Sequence, residues 1–138
     1  MTKVLIAEDD LMIADMVEDV LVNGGYEVCG IAQSVEQGII LGRQYRPDIA
    51  VLDLRLAAGG LGTEIATDLV AFRRVGILYA TGNISQVVLT DGDACLSKPY
   101  GPADLLRSLE IVMEIVLTGK ALRPFPRNFK LLSRELAQ

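Results

Sequence analysis

Five short apolar runs, "KVLIA", "YEVCGIA", "PDIAVLDL", "VGILYATG" and "ACLSKP", recur along the chain, and stretches of helical periodicity separate most of them. That alternation restricts the fold more than any other feature. Strands that alternate with helices pair in parallel, and right-handed crossovers then place helices on both faces of the sheet. "PDIAVLDL" is apolar nearly throughout, as a strand buried on both faces must be. After the first run the pattern predicts a helix over 11–22, with Ile13, Val17, Val20 and Leu21 on one face, and "NGGY" stops it with glycine. Further helices are predicted over 35–44, 63–72 and 102–117, the last with proline at its start. A Gly-rich loop, "AAGGLG", precedes the third helix. Between the fourth and fifth runs, "NISQVVLTDGD" leaves room for about two helical turns.

The chain of 138 residues suffices for one domain with a substantial core and is too short for two ordinary ones. Its hydrophobic share of 51% commits it to folding. A net charge of −5 argues against nucleic acid or an anionic membrane as main partner. No apolar run approaches the ~20 residues of a bilayer span, and "MTKVLIAEDD" has no signal-peptide character. Cys29 and Cys95 fall inside predicted strands and suggest neither a disulfide nor a metal framework, so a cytoplasmic location is the expectation. The chain has no histidine, which excludes the usual zinc sites and any His-based triad. The tail from Thr118 to Gln138 is basic and holds two of the 5 prolines and two of the 3 phenylalanines. It reads either as an extended arm ending in a short helix over 130–136 or as a loosely packed terminus.

In a parallel sheet of this kind the site lies beyond the carboxyl ends of the strands. Glu8 and Asp9 follow the first strand, Asp53 ends the third, Thr81 the fourth and Lys98 the fifth. Each alone has a plain alternative: Asp53 a solvated loop acid, Lys98 a surface lysine, and Asp10 an N-cap of the first helix. Together they converge on one rim. Carboxylates crowded without histidine or cysteine suit a hard cation, and Mg²⁺ in particular pairs with one or two carboxylates plus a phosphate. A carboxylate also serves as nucleophile in phosphoryl transfer, with metal and lysine neutralising the moving charge.

These motifs, "LIAEDD", "VLDL", "ATG" and "SKP", each at a strand end and in this order, resemble a response-regulator receiver domain of bacterial two-component signalling over residues 3–117. The resemblance implies a flavodoxin-like sheet of five parallel strands in the order 2-1-3-4-5, with a short fourth helix. It implies Asp53 as phosphoacceptor, Mg²⁺ held by Asp9, Asp53 and the Arg55 backbone carbonyl, and Glu8 bound to the metal through water. Thr81 would then hydrogen-bond the phosphoryl group, Lys98 would ion-pair with it, and the Lys98–Pro99 bond would be cis. Cys95 stands where most receivers carry an aromatic, and the short Thr81-to-Lys98 spacing truncates the fourth helix. With "YATGN", these departures resemble the subfamily marked by a Phe-Ala-Thr-Gly signature and paired with HWE or HisKA2 histidine kinases, although Tyr79 replaces the signature Phe.

Two rival readings compete with a receiver. A phosphatase of the haloacid-dehalogenase type needs a second Asp two residues after its nucleophile, where this chain has Arg55. A pseudo-receiver that docks without being phosphorylated is disfavoured because all five site positions hold competent residues. The expected organisation is a receiver over 1–118 and an arm over 119–138, acting alone because no effector follows. Its output is a bound target, a relay to a histidine phosphotransfer protein, or drainage of phosphate from a kinase, with at most slow self-dephosphorylation. The last helix carries more apolar residues than one sheet edge needs: Leu105, Leu109, Val112 and Val116 in one stripe, Leu106, Met113 and Leu117 in another, and Ile111 and Ile115 beyond. That surplus favours a homodimer through the last helix and tail over cover by Phe125 and Phe129. Phosphorylation is expected to reorder residues 83–93 directly, because Cys95 is too small to act as a rotating ring.

Overall fold

The computed structural model describes residues 1–82 and 92–132. Strands β1 (Lys3–Ala7), β2 (Glu27–Ala32), β3 (Ile49–Leu52), β4 (Gly76–Thr81) and β5 (Ala94–Ser97) alternate with helices α1 (Leu11–Asn23), α2 (Val35–Tyr45) and α3 (Gly62–Val70). Helix α4 (Pro102–Thr118) and a short strand β6 (Phe129–Leu131) complete the described chain. The sheet runs β2-β1-β3-β4-β5-β6. The first five strands are parallel in the expected order, and β6 adds an antiparallel edge. The expected count of five strands is therefore corrected to six.

Strand side chains alternate between faces, and each face has its own core. Val4, Ile6, Val51, Leu78 and Leu96 point toward α1 and α4, where Val17, Leu21, Leu105 and Leu109 meet them. Leu5, Ala50, Leu52, Ile77 and Tyr79 point the other way, against Ile65 and Leu69 of α3 and Leu41 of α2. The caps agree with the sequence. Asp10 is the N-cap of α1 and accepts the Met12 N–H at 3.0 Å, and Ser34 caps α2 by accepting the Gln37 N–H at 3.2 Å.

One expectation for the C-terminal part needs correction. A helix over 130–136 does not begin there, because Lys130 and Leu131 belong to β6; residues 133–138 lie outside the described residues. The alternation of buried Phe129 with exposed Lys130 lets the chain pair with the free edge of β5, and that backbone pairing overrides the local apolar count. The apolar surplus of α4 is also largely accounted for. Ile111 and Ile115 are core residues, while Leu106, Met113, Ala121 and Phe125 pack against the same cluster as Phe129. Only Leu117 of that set stands well exposed, at 77%, so packing within the chain covers most of the surplus on which a homodimer was expected. The short helix expected between Thr81 and Lys98 falls on residues outside the described ones.

The start of β5 is fixed by Asp93, which is buried. Its carboxylate accepts the Ile77 N–H at 2.8 Å and pairs with Arg74 at 2.6 Å, joining the entry of β4 to the entry of β5. Asp93→Ala removes the pair and strands a buried amide, so it is expected to cost about 2–4 kcal/mol. Urea denaturation checks this, and a loss below about 0.5 kcal/mol would contradict it.

Candidate functional site

Glu8 and Asp9 are the first residues past β1, Asp53 the first past β3 and Lys98 the first past β5. Backbone pairing continues just beyond the strands and fixes these positions. Asp53 N–H donates to the Ala7 carbonyl at 2.9 Å, Glu8 N–H to Ala32 at 2.9 Å, and Lys98 N–H to Thr81 at 2.9 Å. Adjacent strands lie about 4.8 Å apart, and β4 stands between β3 and β5. A cation leaving β5 therefore needs a long stem to reach the acids. Lys98 has one: its Nζ donates to Glu8 Oε1 at 2.8 Å and to Asp53 Oδ2 at 3.1 Å.

The acids themselves are close-set. One carboxylate oxygen from each of Glu8, Asp9 and Asp53 lies within 4.8 Å of the others. Glu8 is buried, Asp53 half-buried and Asp9 exposed. Burial pushes the Glu8 carboxyl above its usual range; the Lys98 hydrogen bond and the Asp10 N–H, 3.2 Å from Glu8 Oε2, pull against that, and the Asp53 charge reinforces it. For Lys98 burial alone would favour the neutral amine, but its bonds to Glu8 and Asp53 outweigh burial and raise its pKa. The donor set is all oxygen and fits a hard divalent cation such as Mg²⁺. Ionised, the three carboxylates exceed the charge of one ammonium, so the rim remains net negative until a cation joins it.

Thr81 ends the strand next to β3, and Arg55 follows Asp53 in the loop after β3. Thr81 is buried at the end of β4, in register with Ser97. Arg55, two residues past Asp53, forms an isolated antiparallel bridge with Leu61 and has an exposed side chain. The Lys98–Pro99 peptide bond is cis, as the resemblance implied. Cys95 is fully buried beside Tyr79 on the adjacent strand, and burial pushes its thiol up to about 11, so it is a packing group. The residues expected to reorder on phosphorylation lie mostly outside the described ones.

Two residues at the site were not foreseen. Gly62 begins α3 with its Cα against the Asp53 backbone, and an added Cβ would collide with the Asp53 carbonyl oxygen. The sequence marks "AAGGLG" only as a Gly-rich loop before the third helix, without saying which glycine is needed. Asn128, in the tail, reaches the Pro99 carbonyl through its side chain at 3.0 Å. Nothing local in the sequence marks it.

A family model described as the response regulator receiver domain matches residues 4–110. The transcriptional regulatory protein PdtaR of Mycobacterium tuberculosis is 27% identical over 117 residues, covering 80% of this chain and 56% of that protein. The phyllosphere-induced regulator PhyR of Methylorubrum extorquens is 26% identical over 108 residues, covering 75% of this chain and 40% of its own. The chain thus spans about half the length of these curated relatives. Among solved structures, a CheY-like receiver domain protein from Methanospirillum hungatei superposes with a TM-score of 0.77 at 25% identity, covering 86% of this chain and 98% of that one.

The titration of the cluster has a definite sign. Glu8 is raised in the folded protein, so its ionisation weighs against folding as pH climbs from the ordinary 4.5 through the raised value. Lys98 is also raised, so its contribution is complete below 10.5 and lost as pH rises through its folded pKa. Lys98→Met removes the charge that steadies Glu8. The Glu8 carboxyl, followed by ¹³C NMR, is expected to titrate higher than in the wild type. An unchanged titration would contradict the ion pair.

Proposed function

Because the chain belongs to the response regulator receiver family, we propose that it is a two-component switch in which Asp53 accepts a phosphoryl group from a sensor histidine kinase. The observation that carries this reading is the Lys98 ammonium bridging Asp53 and Glu8 on a rim shared with Asp9. An Asp53 oxygen attacks phosphorus, the P–N bond of the kinase phosphohistidine breaks, and the imidazole leaves with the bond's electrons. Asp9, Asp53 and the Arg55 carbonyl would hold Mg²⁺ directly and Glu8 through water. When bound, the ion supplies positive charge against the phosphoryl oxygens. Thr81 donates its hydroxyl to one of those oxygens, and Lys98 turns from its carboxylates to pair with another. The product is an acyl phosphate that Asp53 loses slowly, in keeping with a signalling switch and not a turnover enzyme.

A groove of about 320 Å³ beside Lys98 supports docking of the donor. It is lined by Ile13, Met16 and Val17 of α1 and by Pro99, Tyr100 and Leu105. Met16 in that lining and Met12, one helical turn before it on α1, stand exposed, the adaptable apolar surface that an amphipathic helix takes. The "YATGN" stretch and Cys95 support an HWE or HisKA2 kinase as that donor. The same reading takes the receiver as a cytoplasmic regulator that signals by protein contact, by relay to a histidine phosphotransfer protein, or as a phosphate sink.

Incubation with acetyl phosphate and Mg²⁺, followed by intact-mass measurement, tests the assignment. One phosphoryl group is expected per chain, absent in EDTA and absent in Asp53→Asn. Uptake by the Asp53→Asn protein would sink it.

A further inference from the structure

After α4 the chain does not leave the domain. Gly119, with φ 78, takes the left-handed conformation that ends the helix and turns the chain back. Arg107 on α4 then holds the returning segment, donating to the Leu122 carbonyl at 2.7 Å and to the Pro124 carbonyl at 3.1 Å. The Phe125 and Phe129 rings meet at 5.2 Å, and β6 joins β5 with Leu131 opposite Ala94 and Phe129 opposite Leu96. Asn128 sits between these anchors and is held by both. Its backbone carbonyl accepts the Ser97 N–H at 3.0 Å, and its side-chain Nδ2 donates to the Pro99 carbonyl at 3.0 Å. Ser97 and Pro99 are the residues on either side of Lys98. One tail residue therefore grips the backbone before and after the lysine that bridges Glu8 and Asp53.

We propose that Asn128 is a positioning residue for Lys98, and that the tail over 119–132 is through it a working part of the phosphorylation site. This rests on the reading of Asp53 as phosphoacceptor. The Lys98 stem is long and flexible, so the placement of its ammonium depends on how firmly its backbone is held. From one side it is tied to β4 by its own N–H on the Thr81 carbonyl. From the outer side Asn128 supplies the restraint. Without the Nδ2 donor the Pro99 carbonyl loses its partner and the 97–100 segment gains freedom. Misplacement by about 1 Å of a group that stabilises a transferring phosphoryl costs as much as about 100-fold in rate. Coupling of this kind is reciprocal. When Lys98 leaves Glu8 for a phosphoryl oxygen, the change reaches Asn128 through the two bonds that bracket the lysine, and the tail registers the state of Asp53.

The test uses the full chain as wild type, Asn128→Ala and Lys130→Ala, the last an exposed β6 side chain that serves as control. The rate of Asp53 labelling by phosphoramidate with Mg²⁺ is measured by intact mass across donor concentrations. Hydrogen exchange of segments 97–100 and 119–132 is measured with and without beryllofluoride, a phosphoryl mimic. Asn128→Ala is expected to lower the limiting rate about 5- to 20-fold. The donor concentration at half-maximal rate should stay within about twofold, because donor binding is untouched. Exchange over 97–100 should rise in the same variant, and Lys130→Ala should match the wild type. In the wild type beryllofluoride should change protection of the tail around Asn128, a readout that stands even if Asn128→Ala does not fold. Equal labelling rates in wild type and Asn128→Ala, or tail protection indifferent to beryllofluoride, overturn the positioning role while leaving Asp53 as phosphoacceptor. A wild-type chain that takes up no phosphoryl group overturns the assignment of Asp53, and the role of Asn128 with it.

Discussion

A single ammonium holds the rim together. Lys98 spans from the end of β5 across β4 to Asp53 beyond β3 and Glu8 beyond β1. Glu8 is 4% exposed, and an isolated carboxylate so buried would give up its charge. The Lys98 hydrogen bond opposes that penalty without cancelling it, since burial still leaves the Glu8 carboxyl above its usual range. The requirement also explains the residue type. An arginine fork would clamp one carboxylate in a fixed plane, whereas a point charge on a flexible stem serves two acids and can turn to a third partner.

The sheet is what brings these strand ends together. β1 and β3 are adjacent, so Glu8, Asp9 and Asp53 emerge as neighbours although they lie far apart in sequence. Buried backbone on both faces of β3 and β4 fixes the register, because a slip by one residue would turn every core side chain to the wrong face. Local devices then trim the loops. Asp10 starts α1 immediately after the acids, and Gly62 lets α3 begin against the Asp53 carbonyl. Asp93 secures the entry of the strand that delivers Lys98.

Much of this was legible in the sequence, and the reason is physical. Buried parallel strands must be nearly continuous apolar runs, and amphipathic helices must show their period, so β1 to β5 and α1 to α4 could be placed to within a few residues. The strand-end acids and lysine stood out because charge directly after an apolar run has few structural uses. β6 was not legible. Three residues of alternation around Lys130 do not distinguish a strand from the start of a helix, and the free β5 edge that decides the matter is a tertiary fact. Asn128 left no trace for the same reason, since half of its grip is a backbone carbonyl that any residue carries. Gly62 was one of several glycines in a loop, and only the folded chain shows which one meets Asp53.

The proposed function needs a divalent cation at this rim, and the clustered oxygen donors of Glu8, Asp9 and Asp53 are the residues that would hold it. Calorimetric titration of the phosphate-free protein with Mg²⁺ measures that demand directly. The expected result is a single binding event per chain, removed by Asp9→Asn and tightened by Lys98→Met, which takes away the competing ammonium. Binding that survives Asp9→Asn unchanged, or no binding to the wild type, would contradict a metal site built from Glu8, Asp9 and Asp53.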